Sequence, residues 1–219
     1  MSLLKLMYID EDSGEVRQFK RKFLDVFEVE TVDFTDIQLP SLLTKLNEKQ
    51  FDYLIVDYHL NDMSGCGFDG DVILVDFLKR FPHFPTMLLT NQDEGAIESI
   101  KGFDVEKVRS KKEYLSDELR PAFSARIKAK VGQYQRGIRE AEEKLEQLAE
   151  KRALGTGLSA DEEDESIRLD DFLDETLDAN ARTIPKEVIS STNETRLGEL
   201  LTKTDDLIER LKKYEDISK

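Results

Sequence analysis

Four apolar residues, Tyr53-Leu54-Ile55-Val56, run without a polar break and stop at the carboxylate of Asp57. A short β-branched and aromatic run bounded by polar residues is the pattern of a strand buried on both faces. Strands of that kind belong to parallel sheets with helices covering both sides. In open α/β sheets, ligands bind outside the carboxyl ends of the strands. Asp57 is therefore expected at a binding rim.

The rest of the first half repeats the pattern. Leu3 to Ile9 is an apolar run that also ends in acid, Asp10-Glu11-Asp12. Asp12 or Ser13 can cap a helix carrying Val16, Phe19, Phe23, Leu24 and Phe27. Val29 to Phe34 alternates as a strand, and Pro40 suits the first position of a helix with Leu42, Leu43 and Leu46. After the central strand, Ser64 to Gly70 is a glycine-rich loop, followed by a helix through Val72, Ile73, Val75, Phe77 and Leu78 that ends before Pro82. Phe84 to Thr90 predicts a fourth strand, Asp93 to Lys101 a short helix, and Phe103 to Arg109 a weaker fifth strand closing on Ser110-Lys111. Strand and helix alternate five times, which predicts an α/β fold with a five-stranded parallel sheet.

From about Leu115 the character changes. Ile127, Val131, Tyr134, Ile138, Ala141, Leu145 and Leu148 alternate steps of four and three, a heptad seam on a helix running to about Ala153. Gly155-Thr156-Gly157 breaks it. Ser159 caps an acidic start, Asp161 to Glu165, of a short helix over about 160–179. A last helix is expected over about 186–216. The expected division is residues 1–120 and an all-α extension over 121–219. That extension is either a helical hairpin within one chain or a coiled coil between two, which makes a homodimer one of its possible forms.

The 219-residue chain has a formal net charge of −15 and a pI near 4.7. Such acidity disfavours phosphate-backbone binding, so no nucleic-acid partner is expected. The segment 121–153 holds 8 basic and 5 acidic residues and the tail after it, residues 154–219, 9 and 18, signs suited to packing together. Cys66 is the single cysteine and has no partner for a disulfide. No apolar run reaches the ~18 residues of a membrane span, and the N-terminus lacks a signal-peptide pattern. The expectation is a cytoplasmic protein with no membrane partner.

At the carboxyl edge of the predicted sheet, the strands would deliver Asp10, Glu11, Asp57, Thr90 and Lys111. Clustered carboxylates repel and call for a cation, and all-oxygen ligands suit a hard divalent ion such as Mg2+. A hydroxyl and an ammonium are apt partners for phosphoryl oxygens. A carboxylate nucleophile can form an acyl phosphate where such groups absorb the developing charge.

Ile9-Asp10-Glu11, Leu54-Ile55-Val56-Asp57 with Met63-Ser64-Gly65 beyond it, Leu88-Leu89-Thr90-Asn91 and Arg109-Ser110-Lys111 occur in this order. With them, the first 120 or so residues resemble a receiver domain of bacterial two-component response regulators. The resemblance implies a flavodoxin-like strand order 2-1-3-4-5. It implies that Asp57 accepts phosphate from a histidine kinase or phosphotransfer protein. Glu11, Asp57 and the His59 backbone carbonyl would ligate Mg2+, with Asp10 acting through water. Thr90 and Lys111 would bind the phosphoryl oxygens, assisted by the Asn91 amide. The chain departs from the family in four places. Lys112 stands where proline usually follows the lysine, Val108 where strand five commonly carries an aromatic, and Asn61 in place of a frequent proline. Residues 66–71 insert a few positions.

The function expected on these grounds is a phosphorylation-dependent signalling protein, not an enzyme, that contacts a protein target through its helical tail. A stand-alone phosphate sink or relay receiver is the alternative within this class. A Mg2+-dependent aspartyl phosphatase is the rival class, and His59 standing where such enzymes place a second aspartate argues against it.

Overall fold

The computed structural model describes residues 3–34, 37–61, 65–91, 104–154 and 157–177. The expected helices at 93–101 and 186–216, and the end of the one expected to 179, lie outside the described residues. Five strands, β1 (Leu4–Ile9), β2 (Phe27–Thr31), β3 (Tyr53–Asp57), β4 (Thr86–Thr90) and β5 (Val108–Ser110), alternate with helices. They form one parallel sheet in the order β2-β1-β3-β4-β5, the flavodoxin-like arrangement. The helices are α1 (Ser13–Phe23), α2 (Leu39–Asn47), α3 (Gly70–Arg80), the single turn α4 (Lys112–Leu115), α5 (Arg120–Ala153) and α6 (Ala160–Thr176).

The two-residue period of the strands sorts their side chains into two cores. Met7, Ile9, Leu54, Val56 and Leu88 meet α2 and α3 residues such as Leu42, Leu46, Ile73 and Phe77. Leu6, Tyr8, Tyr53, Ile55, Met87 and Leu89 meet Phe19 and Phe23 of α1 and Phe123, Ile127 and Val131 of α5. Every residue of β3 and of β4 is buried, as an unbroken apolar run implies.

Two strands differ from the sequence expectation. Phe27, expected on the first helix, instead opens β2 ahead of Val29, because α1 stops at Phe23 and Phe27 is buried in the same core, its ring 5.8 Å from that of Phe23. The fifth strand is shorter than expected: Val105–Lys107 forms a 3-10 turn, and only Val108–Ser110 pairs with β4. Val108 is buried among α2/α3-side core residues.

The chain forms two compact units, Met1–Ile138 and Arg139–Lys219. The first turns of α5 supply Phe123, Ile127 and Val131 to the sheet core. In the second unit, Ala141, Leu145 and Leu148 of α5 and Leu173 of α6 are buried. Ion pairs Lys144–Glu165 (3.4 Å) and Lys151–Glu162 (2.6 Å) join the two helices in antiparallel sense. The heptad seam thus serves two different cores in turn. Within the described part of the second unit, α5 and α6 form a helical hairpin. Ser159 caps α6 through a capping box with Glu162, its side chain accepting from the Glu162 N–H at 3.3 Å.

Candidate functional site

The sheet register brings the acidic strand ends together. Ile9 pairs with Val56, so Asp10 and Asp57 emerge side by side, and Asp57 itself pairs with Leu89, one residue before Thr90. The Lys111 N–H donates to the Thr90 carbonyl at 2.9 Å, which sets Lys111 at the same rim. Lys111 takes an αR conformation (φ −56°, ψ −25°) as the residue before α4. A following proline disfavours that conformation, and Lys112 permits it. The Lys112 N–H, which a proline lacks, donates to Ser110 Oγ at 3.2 Å.

The Lys111 ammonium lies 2.9 Å from Asp10 Oδ2 and 2.9 Å from Asp57 Oδ1. All three residues are nearly sealed from solvent, at 3%, 3% and 4% exposure for Asp10, Lys111 and Asp57. Asp10 Oδ1 accepts from the Asp12 N–H at 2.9 Å, and Asp12 caps α1 by accepting from the Gly14 N–H at 2.6 Å. Thr90 is buried at the end of β4, while Asn91 is exposed. His59 is half-buried, its ring edge-on to Tyr58 with centroids 4.7 Å apart.

Glu11 completes the cluster. Ligand atoms of Asp10, Glu11 and Asp57 all lie within 4.8 Å of one another. Glu11 Oε2 is buried with no hydrogen-bond partner among the described residues. An orphaned buried carboxylate oxygen is costly unless a cation or proton meets it. One ammonium faces three carboxylates, so the donor set fits a divalent, oxygen-seeking cation such as Mg2+.

The electrostatics follow from this crowding. Burial, with the charges of Asp10 and Asp57, pushes the Glu11 carboxyl up to about 7. Burial also raises Asp57 above its usual range, and the Lys111 charge pulls it part of the way back. For Lys111, burial works against the charged form, but Asp57 and Asp10 outweigh it and its pKa rises, so it stays an ammonium.

Two participants were not singled out by the sequence. The Tyr8 hydroxyl donates to Asp10 Oδ2, and burial followed by the Asp10 charge pushes its phenol well above the ordinary value. On β1 Tyr8 shares a face with Leu6 and reads as core. Gly70, the first residue of α3, approaches the backbone of Asp57 so closely that a Cβ there would lie 1.9 Å from the Asp57 carbonyl oxygen. The glycine-rich loop before α3 was a visible hint, but the approach itself requires the folded chain.

No family model matches the sequence, and no curated protein does either. The solved structures that match it are mostly receiver domains of response regulators. A response regulator receiver domain protein from Clostridium thermocellum is 22% identical at a TM-score of 0.44, covering 61% of this chain and 98% of that one. The receiver domain of the Francisella response regulator 1452 is 20% identical at 0.43, covering 59% and 98%. The BeF3-activated DrrB receiver domain is 19% identical at 0.43, covering 60% and 99%. At those values the function proposed below rests on the chain's own side-chain geometry. No helix among the described residues is long and apolar enough to cross a membrane.

Proposed function

We propose that this chain is a phosphorylation-dependent signalling protein that accepts a phosphoryl group on Asp57 and acts by protein contact through its C-terminal helices. The donor is a phosphohistidine of a histidine kinase or phosphotransfer protein. The observation that carries the reading is Lys111 bridging Asp10 and Asp57 beside the orphaned Glu11 oxygen. An ordinary structural ion pair has no use for a third carboxylate beside it with a buried, orphaned oxygen.

In the transfer, an oxygen of Asp57 attacks phosphorus, an O–P bond forms, and the donor's N–P bond breaks, its electron pair staying on the imidazole. Lys111 holds its charge at the attacking carboxylate, and the Thr90 hydroxyl and Asn91 amide offer donors to the phosphoryl oxygens. Glu11, Asp57 and the His59 carbonyl would hold Mg2+ directly, with Asp10 acting through water. When bound, the ion neutralises charge that develops on the phosphoryl oxygens. The output is assigned to protein contact because the chain is strongly acidic and phosphate-backbone binding needs the opposite sign.

Incubation with acetyl phosphate and Mg2+ should add the mass of one phosphoryl group to the intact protein, and Asp57→Asn should abolish the adduct. A native protein that stays unmodified overturns the reading.

The Glu11 shift gives a second expected result. A carboxyl raised from 4.5 to about 7 favours the folded state while protonated, so its contribution is fully present below about 4.5 and is lost as pH rises through 7. A cation needs the ionised form, so proton and Mg2+ compete. Calorimetric titration should show apparent Mg2+ affinity rising at least tenfold between about pH 5.5 and about pH 8. Glu11→Gln should weaken binding and flatten that dependence. A flat profile in the native protein would remove Glu11 from the ligand set.

A further inference from the structure

We propose that Tyr8 is a positioning residue of the acidic site: its buried hydroxyl fixes the Asp10 carboxylate against Lys111 and so sets the affinity of the Asp10–Glu11–Asp57 cluster for a divalent cation. The inference rests on the cation-binding reading above and goes beyond it, because Tyr8 is not a ligand and lies inside the α1/α5-side core.

The carboxylate of Asp10 is held by three protein donors. Oδ1 accepts from the Asp12 N–H at 2.9 Å, and Oδ2 accepts both from Lys111 Nζ at 2.9 Å and from the Tyr8 hydroxyl. Two of these donors, the Asp12 N–H and Tyr8, belong to the strand and turn that carry Asp10. They therefore fix its orientation whether or not Lys111 is engaged with Asp57. The remaining acid of the pair, Glu11, has no comparable restraint on Oε2. The geometry thus separates one carboxylate that is immobilised from one that is left for a ligand.

The Tyr8 ring is itself held by packing. It is fully buried at 0% exposure and stacks on Phe19 with centroids 4.1 Å apart. Phe19 in turn packs edge-on against Tyr114 at 5.0 Å, and Tyr114 lies 6.1 Å from Phe123 in the first turns of α5. The Tyr114 hydroxyl donates to Glu15 Oε2 at 2.7 Å, which fastens the far end of the stack to α1. Position 8 faces an apolar core, where phenylalanine would fill the space without a polar atom to satisfy. A hydroxyl there is costly unless paired; it donates to Asp10 and also has the Tyr114 hydroxyl as a hydrogen-bonding neighbour. Groups that orient metal-binding residues from behind characteristically change metal affinity by about 10- to 100-fold when lost.

The test is Mg2+ titration by calorimetry on the full chain, with the native protein, Tyr8→Phe and Tyr53→Phe. Tyr53 is the matched control: its hydroxyl is buried in the same core and donates to the Thr86 carbonyl at 3.2 Å, away from the cluster. Tyr8→Phe should raise the Mg2+ dissociation constant about tenfold, while Tyr53→Phe leaves it within a factor of about two. In parallel, the native protein labelled at the tyrosine ring carbons should show the Tyr8 Cζ resonance moving on Mg2+ addition and the Tyr53 resonance still. That measurement decides the matter even where Tyr8→Phe does not fold. Equal affinity in native and Tyr8→Phe proteins, equal weakening by both variants, or a Tyr8 resonance unmoved at Mg2+ saturation each overturns the role of Tyr8 and leaves the cation site standing. A native protein that takes up no Mg2+ overturns the cation site itself, and the Tyr8 proposal with it.

Discussion

Lys111→Met is expected to lower the unfolding free energy by about 3 kcal/mol at neutral pH, the usual cost of stripping one partner from a buried ionic cluster. The variant keeps most of the aliphatic stem and removes only the charge. Asp10 and Asp57, each 2.9 Å from the missing ammonium, are then left facing one another and Glu11 in a site nearly closed to water. The pH dependence identifies the cause. Burial already raises Asp57, and Lys111 opposes that rise; without the lysine the folded-state pKa climbs further above its unfolded value of 3.8. A carboxyl raised in the folded state is most favourable to folding below its unfolded pKa and becomes steadily less so as pH rises. The deficit of the variant should therefore be largest at neutral pH and should shrink as pH falls towards about 4. Added Mg2+ should recover part of it by replacing the lost positive charge. Urea unfolding across that range, with and without Mg2+, is the measurement. A deficit independent of both pH and Mg2+ would mean that the lysine acts by packing alone. The phosphoryl adduct proposed for Asp57 should also disappear, since the ammonium 2.9 Å from its carboxylate is gone.

How far the sequence carries such arguments differs by residue. The placement of Asp10, Glu11, Asp57 and Thr90 at one edge was legible because each ends or follows an apolar run and parallel strands deliver their ends to one edge, whereas Lys111 follows the polar Arg109-Ser110. The heptad seam was legible as a helix but not as what it packs against. The same periodicity describes Ile127 and Val131, buried on the sheet, and Leu145 and Leu148, buried in the second unit. A helix repeat records that one face is apolar and is silent on where its partner changes. The fifth strand was over-read because Val105 and Val108 look alike in sequence, yet only the latter pairs with β4. Tyr8 was hidden for a different reason. Strand alternation assigns it correctly to a core, and no pattern in one sequence shows that a phenol at that depth ends on a carboxylate two residues on.

Gly70→Ala is expected to destabilise the protein by about 3 kcal/mol, against the direction that helix propensity gives. Alanine in a helix is favoured over glycine by roughly 1 kcal/mol, and Gly70 opens α3. The surroundings reverse the sign. A Cβ at this position would lie 1.9 Å from the Asp57 carbonyl oxygen, 2.8 Å from Val56 Cγ1 and 2.9 Å from the Asp57 carbonyl carbon. Two of those atoms are backbone of β3, whose every residue is buried, so they cannot rotate aside as the end of a flexible side chain would. The close approach is fastened by the Gly70 N–H, which donates to the Tyr58 carbonyl at 2.8 Å. Admitting a methyl group requires α3 and the end of β3 to part, and overpacking of that kind costs about 1–3 kcal/mol or more. The displaced residue is Asp57, so phosphoryl uptake should fall together with stability. The steric origin has its own signature, because the clash is present at every pH. Most of the deficit of Gly70→Ala should persist at about pH 5, where that of Lys111→Met has shrunk. An alanine variant as stable as the native protein would show that α3 does not press on the strand carrying Asp57. The position of Asp57 would then be set from the Lys111 side alone.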